Sequence, residues 1–144
     1  MAVYAVPGDE VLRELLAEIR SIAVLGAKAD PAEDAHRVPE YLKRAGYRVL
    51  AVNPKLDRLL GEPCVPRLAV LPVPADLIDV FRASHRLPGH VDEILALPTP
   101  PKAVWFQIGV RHDAAAARLS AAGIPVVQDR CLMVEHARLL GPPS

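Results

Sequence analysis

The sequence predicts a doubly wound α/β fold, in which a parallel sheet carries helices on both faces. Three observations predict it. Short apolar runs such as residues 22–25 alternate with longer segments whose apolar residues recur at helical spacing. The run 22–25 is apolar at every position rather than at alternate ones, as a strand buried on both faces requires. The segments between the apolar runs are long enough for the crossovers that parallel pairing needs, and crossover handedness limits the possible strand orders. A length of 144 residues, 51% hydrophobic and 24% charged, suits one domain over residues 1–144, and no repeat or low-complexity tract divides it.

Each element carries its own signal. Asp9 is expected as an N-cap, followed by Leu12, Leu15, Leu16 and Ile19 on one face of a first helix that ends near Arg20. Residues 22–25 form the first strand, closed by Gly26. Val38, Tyr41, Leu42 and Ala45 share a helical face, and Gly46 stands where a left-handed C-terminal cap belongs. Residues 47–52 read as the second strand, and the proline-rich stretch 54–74 is expected to hold one short helical turn. Residues 76–81, 103–107 and 124–128 read as the third, fourth and fifth strands, with helices over 91–97 and 113–122 between them. A last helix over 132–140 packs on the flank. The expected architecture is Rossmann-like, five strands in the order 3-2-1-4-5, which sets the ligand crevice beyond strands one and four.

Charge and motifs narrow the function. Seventeen basic and seventeen acidic residues cancel, giving no support to a nucleic-acid or anionic-membrane partner, so any anion site must be local. The two cysteines, Cys64 and Cys131, have no C-x-x-C spacing, which disfavours a disulfide framework or zinc ribbon and suggests a reducing, cytoplasmic home. Residues 1–8 lack a signal-peptide pattern, and no apolar run approaches a membrane span. No G-x-S-x-G, H-E-x-x-H or Walker A sequence occurs. His36, His85, His90, His112 and His136 are scattered; His85 and His90 with Asp92 flank Pro88-Gly89, where solvated histidines are expected rather than metal ligands.

The strand ends carry the candidate site. Gly26 allows a sharp turn, and a helix starting around residues 37–39 would aim free N–H groups at a phosphate. The dinucleotide fingerprint G-x-G-x-x-G is absent, since Ala27-Lys28-Ala29-Asp30-Pro31 follows. At the end of the second strand, where NAD-binding domains place a carboxylate, stand Asn53, Pro54 and Lys55. An amide and a cation there suit a phosphorylated ribose, as in CoA or NADP; alternatively Asn53-Pro54 only turns the chain and Lys55 is solvated. Arg37 and Arg82 offer guanidinium forks to paired oxygens. Cys131 follows the fifth strand beside Arg130, which would favour a thiolate; a packed, inert thiol is the preferred reading, and it is a candidate redox thiol only if it lies near a cofactor sulfur.

Residues 22–27, Arg37-Val38, residues 46–49 and 52–55, Asp79-Val80-Phe81-Arg82, residues 105–110 and Asp129-Arg130-Cys131 together resemble, in order and spacing, the family of small stand-alone CoA-binding proteins. Their domain is similar to the CoA-binding domain of the succinyl-CoA synthetase α subunit, and the likeness covers about residues 21–136. The resemblance implies that the loop opened by Gly26, Ala27, Lys28 and Ala29 wraps the nucleotide phosphates, with Arg37 assisting. Asn53, Pro54 and Lys55 would border the 3′-phosphate, Val80, Phe81 and Arg82 would line the adenine and pyrophosphate side, and Gln107, Ile108 and Gly109 would approach the pantetheine arm. The chain departs from the pattern in the loop after the first strand, where Asp30, Glu33 and Asp34 would repel a polyphosphate unless they point to solvent. It also ends at Ser144 without the phosphohistidine domain of the synthetase. The expectation is therefore a protein that binds CoA or an acyl-CoA without catalysis. An NADP-dependent oxidoreductase-like domain and an interaction domain with a vestigial crevice stay open as alternatives, and no protein partner is indicated.

Overall fold

The computed structural model describes residues 6–143. Five strands form one parallel sheet: β1 (Ser21–Leu25), β2 (Arg48–Val52), β5 (Leu77–Val80), β6 (Ala103–Phe106) and β7 (Val126–Val127). Two further strands, β3 (Arg58–Leu59) and β4 (Glu62–Pro63), make a small antiparallel hairpin. Helices α1 (Asp9–Glu18), α2 (Asp34–Arg44) and α5 (Leu132–Leu140) cover one face; α3 (Leu87–Leu95) and α4 (Asp113–Ala121) cover the other. Side-chain alternation explains the division. Ile22 and Val24 pack with Leu12, Leu42 and Leu132, whereas Ala23 and Leu25 pack with Val91, Ile94 and Leu119. Every residue of β1 is buried, which is why its sequence is an unbroken small and apolar run.

The predicted fold class holds, but the strand order does not. The sheet runs β2-β1-β5-β6-β7, which is 2-1-3-4-5 in terms of the five main strands rather than 3-2-1-4-5. The outer edge of β2 is already occupied. Val65 bridges to Val52, its N–H donates to the Ala51 carbonyl at 3.0 Å, and its own carbonyl accepts the Asn53 N–H at 2.9 Å. The third main strand therefore pairs with the free edge of β1, and the point where the winding reverses lies between β1 and β5, not between strands one and four.

Smaller corrections have local causes. Gly8, not Asp9, is the N-cap of α1. Helix α2 starts at Asp34, several residues before the expected 37–39, and holds Pro39 within it. Proline has no N–H to give to the Ala35 carbonyl; that carbonyl instead accepts the Lys28 N–H at 3.1 Å, so the proline ties the β1–α2 loop to the helix. Helix α3 begins at Leu87 with a proline in its first turn, four residues before the expected start. The stretch 54–74 contains the β3–β4 hairpin as well as a short 3₁₀ turn at Leu68–Val70. The cap at Gly46 is as expected: its φ is +102°, Tyr47 N–H donates to the Leu42 carbonyl and Gly46 N–H to that of Lys43, both at 3.1 Å. Helix α5 is locked to α2 by a buried contact of 2.8 Å between the Tyr41 hydroxyl and His136 Nδ1. Burial lowers the His136 pKa, which favours the neutral ring.

Candidate functional site

A cleft of about 570 Å³ opens beyond the carboxyl ends of β1, β5 and β6, at the reversal of winding. Gly26 follows the last residue of β1. The residue has φ +91°, and a Cβ there would collide with the Phe81 carbonyl oxygen, so the β1 tip lies directly against the β5 tip. Of the residues expected at the site, Lys28, Arg37, Phe81, Arg82, Gln107, Ile108 and Cys131 line this cleft together. Ala32, Glu33, Asp34, Ala35 and Val110 complete it, and the early start of α2 is what brings in the first four.

The remaining expected residues stand apart from the walls. Ala27 and Val80 are fully buried and pack in the core. Ala29 is exposed on the loop, and Gly109 donates its N–H to the Asp129 carboxylate at 2.7 Å. Asn53 serves as a tie: its Nδ2 donates to the Ala27 carbonyl at 2.7 Å, and its Oδ1 accepts the Lys55 N–H at 2.8 Å. That arrangement is the Asx turn anticipated as the alternative for Asn53-Pro54, and it joins the tips of β1 and β2. Pro54 and Lys55 are exposed and do not line the cleft.

The electrostatics of the mouth are balanced internally. Lys28 pairs with Glu33 at 2.9 Å, and Arg37 pairs with Asp34. The Asp34 hydrogen bond and charge raise the Arg37 pKa further. Asp30 accepts the Ala32 N–H at 2.9 Å and thereby shapes the loop. Helix α2 nevertheless retains free donors, because the N–H groups of Asp34 and Ala35 have no partner among the described residues, while those of His36 and Arg37 both reach Glu33. Arg82 differs from the other cations. Its Nε is buried without a partner, and burial, reinforced by the nearby Arg86, holds its pKa below the ordinary arginine value.

The far wall is apolar and amide. Ile108 is 66% exposed at the rim, whereas Gln107 is 3% exposed and its Oε1 accepts the Leu132 N–H at 3.0 Å, capping α5. No histidine lines the cleft, no His, Cys, Asp and Glu group suited to a metal ion occurs among the described residues, and no described helix is long and apolar enough to cross a membrane.

Comparison with known proteins bears on the family and the fold. The CoA binding domain family matches residues 20–137. The uncharacterized YneT protein of Bacillus subtilis is 34% identical over 131 residues, which are 91% of this chain and 96% of that one. A Thermus thermophilus protein of solved structure is 50% identical, covers 93% of this chain and 100% of its own, and superposes with a TM-score of 0.88. A stretch of 72 residues, half of this chain, is 31% identical to a tenth of the ADP-forming acetate–CoA ligase I of Archaeoglobus fulgidus. With the parallel sheet, the reversal-point cleft and matches that run nearly end to end, this chain belongs to the CoA binding domain family, related to the CoA-binding part of ADP-forming acyl-CoA synthetases.

Proposed function

We propose that the protein binds CoA or an acyl-CoA in the cleft beyond β1, β5 and β6, and does no chemistry on the acyl group. The observation that supports this reading is that residues lining one cleft carry unpartnered donors: the Asp34 and Ala35 N–H groups at the start of α2, and the buried Nε of Arg82. Unpartnered donors at a helix N-terminus and a guanidinium fork suit a diphosphate. The cleft volume also falls in the range of about 300–1,000 Å³ common for cofactor sites. Lys28 and Arg37 would turn from their carboxylate partners to the phosphates, and Lys55 would meet the 3′-phosphate at the rim. Ile108 and Gln107 would border the pantetheine arm.

Binding is preferred to catalysis because Cys131 has no imidazole in the cleft to act as its base. The two free cysteines suit a reducing cytoplasm. The NADP alternative would need the missing glycine fingerprint to seat the nucleotide. A second reading, an interaction domain whose crevice has lost its ligand, is favoured by the Lys28–Glu33 and Arg37–Asp34 pairs, which already neutralise the mouth.

Calorimetric titration of the purified protein with CoA, NADP and NAD separates these readings, together with mass spectrometry of small molecules released on denaturation. Saturable heat with CoA alone is expected. Heat with NADP alone would replace this reading with the oxidoreductase-like one, and silence with all three would favour the interaction domain.

A further inference from the structure

We propose that the Asp79 carboxyl is a proton-controlled switch on the cleft: protonated, it leaves the sheet beneath the cleft neutral and a polyphosphate binds; deprotonated, its negative charge weakens that binding. The inference rests on CoA occupying the cleft.

Asp79 belongs to the sheet, not to the cleft wall. It stands in register between Val24 of β1 and Trp105 of β6, on the face covered by α1, α2 and α5. Side chains alternate along a strand, so Phe81, two residues on, projects to the same side; it packs against the same cluster and lines the cleft. Two residues of strand span about 7 Å, which sets Asp79 one row below the tips of β1, β5 and β6. The residue is 0% exposed, and neither carboxyl oxygen has a hydrogen-bond partner. Buried polar groups nearly always have partners, so two orphaned oxygens in a central strand call for an account.

Nothing packed on this face supplies a counter-charge. The elements α1, β1, β6 and β7 bring apolar residues to the cluster. Its titratable members are Tyr41 on α2, Tyr47 and Cys64 beside β2, and Cys131 and His136 at α5. The Tyr41 hydroxyl is engaged with His136, that of Tyr47 donates to the Leu16 carbonyl, and Cys64 lies against the Asn53 and Val65 carbonyls. At the mouth, Lys28 is paired with Glu33 and Arg37 with Asp34. Arg82 lines the cleft without an ion pair, and its side chain follows Phe81 on the alternate position of the chain. Without a counter-charge the carboxyl is held neutral by burial, which raises its pKa.

The consequence for an anion follows from Coulomb's law. A charge on Asp79 and one on a phosphate at the strand tips, on the order of 10 Å apart in an effective dielectric of about 20, change the affinity by about tenfold. Binding to the deprotonated protein therefore draws one proton from solvent onto Asp79, and release returns it. Linkage is reciprocal, so bound CoA raises the pH at which Asp79 deprotonates by about one unit.

Calorimetric titrations of the full-length wild type and of Asp79→Asn with CoA, from pH 5.5 to 9 and in buffers of differing ionisation enthalpy, test the switch. The wild-type affinity should fall about tenfold more than that of the variant as pH rises, with proton uptake on binding that the variant lacks. Ionisations of CoA itself and of the mouth residues are common to both proteins and cancel. Carboxyl carbon NMR of the wild type, with and without CoA, follows Asp79 directly and does not depend on the variant folding; its midpoint should move up by about one pH unit. Parallel affinity profiles, a midpoint that CoA leaves in place, or a carboxyl that stays protonated through pH 9 would overturn the switch while CoA binding stands. Absence of CoA heat at every pH would overturn the binding reading and the switch with it.

Discussion

Gly26 and Phe81 meet backbone to backbone, so that any side chain on Gly26 would strike the Phe81 carbonyl oxygen. The contact joins the two strands between which the winding reverses, and it sets the position of Arg82 one residue later. Gly26→Ala must either push these tips apart or relax a left-handed φ of +91° that alanine disfavours. The expected cost is at least about 2 kcal/mol, or about 4–8 °C in Tm for a chain of this size, together with loss of CoA heat. A variant that melts like the wild type and still binds CoA would show that the close approach is dispensable.

Glu33 and Lys28 lie 2.9 Å apart with side chains 44% and 55% exposed, so their pair contributes only about 0–1 kcal/mol to folding. Its effect on ligand binding is expected to be larger, because Glu33 competes with a phosphate for the same ammonium group. Glu33→Gln should leave Tm nearly unchanged and tighten CoA by about three- to tenfold at low salt, with the gain shrinking as salt screens the mouth. Titrations at two ionic strengths check this; weaker binding in the variant would mean that Glu33 assists the site.

Asp79 is fully buried in β5, in register with Val24 on one side and Trp105 on the other, and neither carboxyl oxygen has a partner. Burial pushes its pKa well above the usual carboxylate range. The folded state therefore holds a proton that the unfolded chain gives up near pH 4, so Asp79's contribution to stability is present below that pH and declines as pH rises toward the folded value. Relative to Asp79→Asn, which does not titrate, the wild type should lose about 1.4 kcal/mol per pH unit across that window. Urea unfolding of both proteins at pH 5, 6 and 7 measures the difference; parallel profiles would show that Asp79 ionises without cost.

Much of the sheet was legible because a strand covered on both faces leaves an unbroken apolar run, as at β1, and a helix end leaves a glycine, as at Gly46. Strand order was not, since it turns on Val65 closing the outer edge of β2, a contact between residues that no local pattern announces. The start of α2 was obscured by Pro39, which reads as a first-turn residue and in fact sits deeper, with its missing hydrogen bond replaced by Lys28. Lys28, Arg82 and Gln107 follow strand ends and could be read toward the cleft from strand positions alone, whereas Arg37 reaches it from within α2. Their partners could not be, because whether Glu33 and Asp34 face solvent or a cation depends on the turn that Asp30 makes with Ala32.

Lys55 makes no ion pair with any described residue and stands exposed beside the Asx turn of Asn53, which holds its backbone but not its ammonium group. An exposed cation without an ion pair at the end of β2 suits the 3′-phosphate, the group that separates CoA from dephospho-CoA. Lys55→Ala should leave folding intact, since an unpaired surface ammonium contributes little to stability. For CoA the loss of a charge-assisted contact is expected to cost about 1.5–3 kcal/mol, a roughly ten- to hundredfold weaker Kd, whereas dephospho-CoA should bind both proteins alike. Paired calorimetric titrations of the two ligands against the two proteins form a double-difference cycle, so general damage to the site cancels. Equal losses for both ligands would remove Lys55 from the 3′-phosphate, and no loss for either would leave the β2 tip with only its structural role, the tie from Asn53 to Ala27.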